Sequence, residues 1–157
     1  MQRNIHERVI HAPTSEVGLL LDTLSSREDR FWPIGEWPRM RLDGPLAVGA
    51  VGGHGPVGYA VEEYEPGVSA TFRFTAPSGF HGFHRLTATE HSADSTMLRH
   101  ELHISPTGAA RITWPLFFRP MHDALIEEAF DRVERETGAV RSEPSRRSVW
   151  VRFLRAA

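Results

Sequence analysis

The strongest periodicity in the chain lies in Arg119 to Thr137, RPMHDALIEEAFDRVERET, where Leu125, Ile126, Ala129, Phe130 and Val133 form one wide apolar stripe at helical spacing. Glu127, Glu128, Asp131, Arg132, Glu134 and Arg135 fill the opposite face. Pro120 suits a first turn and Gly138 a left-handed stop. At about 1.5 Å per residue this helix runs about 27 Å, enough to cross a sheet. Val17, Leu20, Leu21 and Leu24 predict a second amphipathic helix, capped by Thr14 or Ser15. Gly18 inside it costs about 1 kcal/mol against alanine, so another segment is expected to approach there. Ser26 with Asp29 resembles a capping box and predicts a further short helix ending at Trp32-Pro33.

Between these helices the period changes to two. Ala70, Phe72, Phe74 and Ala76 alternate with Thr71, Arg73 and Thr75. Thr96, Leu98, His100, Leu102 and Ile104 alternate with Met97, Arg99, Glu101 and His103. Further strands are expected over Ile5 to His11, Leu46 to Val51, Tyr59 to Tyr64 and Phe80 to about Glu90. Ala110, Ile112, Trp114 and Leu116 read as a last strand. Residues 33–45 read as an irregular loop. Short turns between consecutive strands predict antiparallel pairing, and a single sheet needs a cover, which the long helix supplies. The expected architecture is α+β: a curved antiparallel sheet wrapped around one long C-terminal helix, with two short helices after the first strand. One domain over 1–138 is expected, with an arm over 139–157 that packs on the domain or on a partner.

This element order, the strand-Ala12-Pro13-helix opening, Gly44-Pro45-Leu46 before the meander and the terminal helix resemble the START-like or helix-grip (SRPBCC) superfamily, in its polyketide cyclase/dehydratase-like branch. The resemblance runs from about Ile5 to Gly138. It implies a sheet that grips the helix and leaves a hydrophobic cavity between them.

Composition narrows the chemistry. The chain has no cysteine, and all 18 of its basic residues are arginine. Thiol nucleophiles, thiolate-held clusters, Schiff-base lysines and phosphate-loop lysines are therefore excluded. There is no nucleophile elbow, since Ser78 sits in the turn-like PSGF. A net charge of −2 lacks the footprint of a nucleic-acid binder. No apolar run nears the roughly 20 residues of a membrane span. The polar, alternating N-terminus lacks a signal-peptide core, and a cytoplasmic location is expected.

Gly53-His54-Gly55-Pro56-Val57-Gly58 matches a dinucleotide fingerprint, but Pro56 and a strand follow it where a helix N-terminus is required, so it reads as a hairpin turn. His81 and His84, like His100 and His103, are three apart, which on a strand sends the two rings to opposite faces. No metal site and no cofactor follow from these spacings. The candidate site is instead His100, Trp114 and His122, with Phe72 and Phe74 opposite. His84, Leu98, Ile126 and Phe130 complete the expected ligand-binding set. Two imidazoles in a partly dry cavity would move protons near neutral pH, so His100 and His122 are the candidate acid and base. The competing reading makes each a core or rim histidine bonded to Glu101, Asp123 or backbone, the usual fate of buried polar groups. Trp32-Pro33, Trp37-Pro38 and Trp114-Pro115 read as punctuation, with Trp32 and Trp37 also placed to lid a cavity. Arg141, Arg146, Arg147, Arg152 and Arg155 with Trp150 and Phe153 form a basic arm, read as packing on the domain or a partner subunit.

The leading expectation is a hydrophobic small molecule, aromatic, polyketide-like or lipid-like, bound between sheet and helix. Two alternatives stand beside it. One is a cofactor-free cyclase, aromatase or dehydratase, and the other a non-catalytic interaction module. Neither nucleic acid nor a membrane span is expected among its partners, and a homodimer is possible on this reading.

Overall fold

A computed structural model describes residues 1–139 and 145–156. Along the chain these form β1 (Gln2–Ile10), α1 (Thr14–Asp22), β2 (Arg41–Leu42), β3 (Val51–His54), β4 (Val57–Glu65), β5 (Ser69–Ala76), β6 (Gly82–Ser92) and β7 (Ser95–Ile104). Then follow α2 (Ala110–Thr113), a π-helical turn (Trp114–Phe118), α3 (Arg119–Glu136) and α4 (Val149–Ala156). The strands make one antiparallel sheet in the order β1-β7-β6-β5-β4-β3-β2. No helix among the described residues is long and apolar enough to cross a membrane.

The long helix lies across the inner face of the sheet. Ile126, Ala129, Phe130 and Val133 share one buried cluster with Phe72 of β5, Leu86 of β6, Leu98 of β7 and the apolar side of α1. Register fixes who faces inward: His84 stands opposite both Phe72 and Leu102, and Leu86 opposite His100. Gly18 of α1 is buried because the β4–β5 turn rests on it; a Cβ there would lie 2.2 Å from the Gly67 carbonyl oxygen. Asp22 clamps that turn, accepting from the Gly67 N–H and the Tyr64 hydroxyl at 2.8 Å each.

Four local expectations are corrected. Ala110 to Leu116 is helical, not a strand. Ala110 and Trp114 are buried while Ile112 and Leu116 are exposed, a spacing of four rather than two. Trp114-Pro115 therefore opens a helical turn. The turn is wide because Pro120 has no N–H for the Leu116 carbonyl and its ring presses on that carbonyl. The Arg119 N–H reaches back to the Trp114 carbonyl, and the freed Leu116 oxygen accepts from Trp150 Nε1 of α4 at 2.7 Å. Residues 26–32 form turns, not a helix, because the Asp29 carboxylate takes the backbone N–H groups of Ser25, Phe31 and Trp32 at 2.8–2.9 Å. Neither Thr14 nor Ser15 caps α1, which starts directly after Pro13. In the Leu46 to Val51 stretch only Val51 enters a strand, and the expected loop contains β2 instead.

The polar face of α3 is packed as well. Asp131 and Glu134 are 5% and 4% exposed, because that face meets β1 rather than solvent. On β1 the inward positions are Asn4, His6, Arg8 and Ile10, leaving Ile5 40% exposed. Arg8 donates to Asp131 Oδ1 at 2.7 Å, Glu134 Oε2 at 3.2 Å and Glu127 Oε2. A carboxylate stripe at 123, 127 and 131, four apart on the helix, thus meets a basic and polar stripe two apart on the strand. Of the basic arm, Arg147 pairs with Glu36 and Glu128, and Arg155 with Glu36, while Arg141 lies outside the described residues.

Candidate functional site

Near the N-terminal end of α3 the core opens into a cavity of about 280 Å³. The sheet supplies Phe72, Phe74, His84, Leu86, His100 and Leu102 to its wall; the helix supplies Met121, His122, Leu125 and Ile126. Trp114, Phe117 and Phe118 of the π turn close one side, and Trp32, Trp37, Met40 and His54 another. Seven residues expected at the site, Phe72, Phe74, His84, His100, Trp114, His122 and Ile126, line this space. Leu98 and Phe130, both 0% exposed, lie in the solid core beside it and not on its wall.

The indoles of Trp32 and Trp37 are fixed in place. Trp32 Nε1 donates to the Pro38 carbonyl at 3.0 Å and Trp37 Nε1 to Glu128 Oε2 at 2.8 Å. Each is both local punctuation and wall.

Rings run in a file through the interior. The His122 ring centre lies 4.8 Å from that of His100, and His100 lies 5.3 Å from His84, with His100 Nε2 and His84 Nδ1 3.3 Å apart. His84 stacks on Phe72 at 4.9 Å and meets Tyr59 edge-on at 5.2 Å; the Tyr59 hydroxyl is 3.2 Å from His54 Nδ1. Burial holds His84 and His100 well below the usual histidine range, with the neighbouring imidazoles acting in the same direction. Burial likewise takes His54 down to about 4 and outweighs Asp123 at His122, which is also lowered. These four are neutral at pH 7. Burial raises the Tyr59 phenol.

The cavity surface is almost wholly carbon. His100 Nδ1 and both His122 nitrogens are covered and have no hydrogen-bond partner. Asp123 Oδ1 lies 3.6 Å from His122 Nδ1, beyond hydrogen-bond reach.

Outside the cavity, across the first turn of α3, sits His6, which sequence reasoning missed. Its Nδ1 donates to Glu127 Oε1 at 2.6 Å, and its Nε2 lies 3.2 Å from Asp123 Oδ1. Burial opposes its charge, but these two carboxylates outweigh it and raise its pKa to about 9. Asn4 Nδ2 also donates to Asp123 Oδ1, at 2.8 Å. His54 and Tyr59 were missed as well, hidden in a glycine-rich hairpin. The one available signal for His6 was the parity of Asn4, His6 and Arg8, which an apolar inner face led away from.

No known protein family profile matches the chain, and no curated protein matches it. Solved structures do. A protein of Nitrosospira multiformis is similar at TM-score 0.66 and 12% identity over 87% of this chain and 96% of its own. Norcoclaurine synthase of Thalictrum flavum, a point mutant in complex with a transition-state analogue, is similar at TM-score 0.64 and 12% identity, over 87% and 93%. CalU16 of Micromonospora echinospora is similar at TM-score 0.54 and 18% identity, over 87% and 83%. At such identities the likeness establishes the fold: an α+β helix-grip, with a curved antiparallel sheet around a long C-terminal helix.

Proposed function

We propose that the chain binds one hydrophobic small molecule in the cavity between sheet and α3. The observation that carries this reading is a cavity of about 280 Å³ walled by phenyl, indole and imidazole carbon. An apolar cavity of about 150 Å³ accommodates benzene, so this one suits a planar compound of about two rings, at the small end of ligand pockets. An aromatic or small polyketide-like ligand fits better than a long acyl chain, because the file of rings favours stacking. Norcoclaurine synthase, in complex with a transition-state analogue, holds a ligand on the same fold.

The test is native mass spectrometry of freshly purified protein, followed by titration with 2-naphthol read by its fluorescence. Val57→Trp places an indole in the cavity from its rim and is expected to weaken 2-naphthol binding at least tenfold. Equal binding by the variant and the parent would remove the cavity from the account.

A second reading, a cofactor-free cyclase, aromatase or dehydratase, has one observation in its favour. His100 and His122 are neutral bases with 4.8 Å between ring centres and unpaired nitrogens. Those nitrogens are covered, so this chemistry requires the rings to turn toward the ligand, which places it second. The double variant His100→Gln/His122→Gln separates the two: catalysis is lost with it, whereas binding through carbon survives.

A further inference from the structure

The described residues contain four buried side-chain polar atoms without a hydrogen-bond partner: Asn4 Oδ1, His100 Nδ1, and Nδ1 and Nε2 of His122. Native interiors leave few such atoms, and each calls for an explanation. These four are not scattered. His6 and His100 are direct neighbours across β1 and β7, and His122 lies 6.0 Å from the His6 ring and 4.8 Å from the His100 ring. Asn4 already contacts Asp123 through its amide nitrogen.

At the same place His6, His122 and Asp123 bring three donor atoms within 4.8 Å of one another. We propose that these three residues form a binding site for a divalent transition-metal ion of the zinc class. His6 Nε2 is 3.2 Å and His122 Nδ1 3.6 Å from Asp123 Oδ1. Donors bound to one tetrahedral zinc at about 2.0–2.1 Å stand about 3.4 Å apart, so both spacings already fit. Two imidazoles and one carboxylate suit zinc, cobalt and iron rather than calcium or magnesium, which take oxygen ligands.

The surroundings match a metal site as closely as the donors do. Glu127 accepts from His6 Nδ1 at 2.6 Å, which fixes the ring and turns Nε2 toward the site. Asn4 braces the Asp123 carboxylate from the strand side. His6 and Asp123 side chains are 12% and 37% exposed, which gives an ion a path from solvent. Binding is an exchange, in which the ion enters and the proton shared by His6 Nε2 and Asp123 leaves to water. Three protein donors leave a fourth position for water or for an oxygen of a bound compound. Because His122 is also a wall of the cavity, that ion would stand at the cavity's edge. The site is independent of whether the cavity holds a ligand.

The test uses the full chain, stripped with EDTA, dialysed, and titrated with zinc chloride by calorimetry and with cobalt(II) chloride by visible absorption. One equivalent is expected to bind, with the intense visible bands of four-coordinate cobalt. In the histidine side-chain NMR spectrum, cobalt should perturb His6 and His122 first and leave the distant His81 and His91 sharp. His6→Gln and His122→Gln are each expected to weaken binding more than about 100-fold, and Glu127→Gln, which removes only the brace, about 10–100-fold. His91→Gln is the control and should change nothing. Absence of stoichiometric binding, or cobalt perturbing His81 or His91 before His6, overturns the proposal. The NMR readout is made on the parent protein, so a variant that fails to fold does not blunt the test.

Discussion

Arg8→Met removes one cation from the contact between β1 and α3 while keeping most of its side-chain length. Three carboxylates then face one another without it. Asp131 and Glu134 side chains are 7% and 6% exposed, Glu127 is 37% exposed, and Arg8 itself is 19% exposed. Breaking a buried ion pair by deleting one partner costs about 3–5 kcal/mol, whereas an exposed pair contributes about 0–1 kcal/mol. The partial exposure of Arg8 and Glu127 moves the expectation to the lower end of the buried range, about 3 kcal/mol. That is a large share of the roughly 5–15 kcal/mol by which a domain is stable. Urea unfolding at pH 7, followed by circular dichroism, reads it directly. The acid limb gives a second readout. Burial pushes the Asp131 carboxyl up, but Arg8 and Ser145 outweigh it, and His6 with Arg8 lowers Glu127. Groups lowered on folding add stability that is present above their unfolded pKa and disappears as pH falls through the folded one. The gap between parent and variant should therefore be widest near neutrality and narrow as pH falls through the carboxylate range. Adding Asp131→Asn and Glu134→Gln to Arg8→Met should restore much of the loss. A loss below about 1 kcal/mol at pH 7 would refute the reasoning, because that is the value of a solvated pair.

Three more outcomes follow from the same structure. Gly18→Ala gains about 1 kcal/mol of helix propensity, but its methyl must displace the Gly67 carbonyl and the clamp on Asp22; net destabilisation of about 2 kcal/mol is expected in urea unfolding, and net stabilisation would contradict the close approach. Phe130→Ala empties a fully buried site and should cost about 3–5 kcal/mol, with an unchanged unfolding slope. His54, buried, should stay neutral by NMR down to about pH 4. The unfolded chain takes up this proton near 6.5, so the residue favours unfolding progressively as pH falls from 6.5 to about 4; ordinary titration near 6.5 in the folded protein would contradict its burial.

Much of the architecture was legible because periodicity records burial on one face. The α3 boundaries, the alternation in β5 and β7, the hairpin at Gly55-Pro56 and the opposed faces of His100 and His103 all follow from it. About a third of the cavity wall followed too, once face parity was joined to the helix stripe. What escaped was set by single side chains or by partners distant in sequence. One carboxylate, Asp29, unmade the expected helix before Trp32. A proline at 120 widened the turn at Trp114 that had the look of a strand. β1 presents Asn4, His6 and Arg8 inward, a choice that makes sense only beside the acidic residues of α3 more than a hundred positions away. An alternating pattern tells two faces apart; it does not say which one faces inward when both are mixed.

The strand order has a consequence for how the molecule is made. Gln2 pairs with Ile104, and the inner side chains of β1 are satisfied only by residues 123 to 134. Because synthesis runs toward the C-terminus, β1 leaves the ribosome before all of these partners and waits longest of the strands. The β3–β7 meander needs only short loop closures, whereas joining the first strand closes a loop of about a hundred residues at a greater entropic cost. Of the seven strands, the one made before the others is thus the last to be seated.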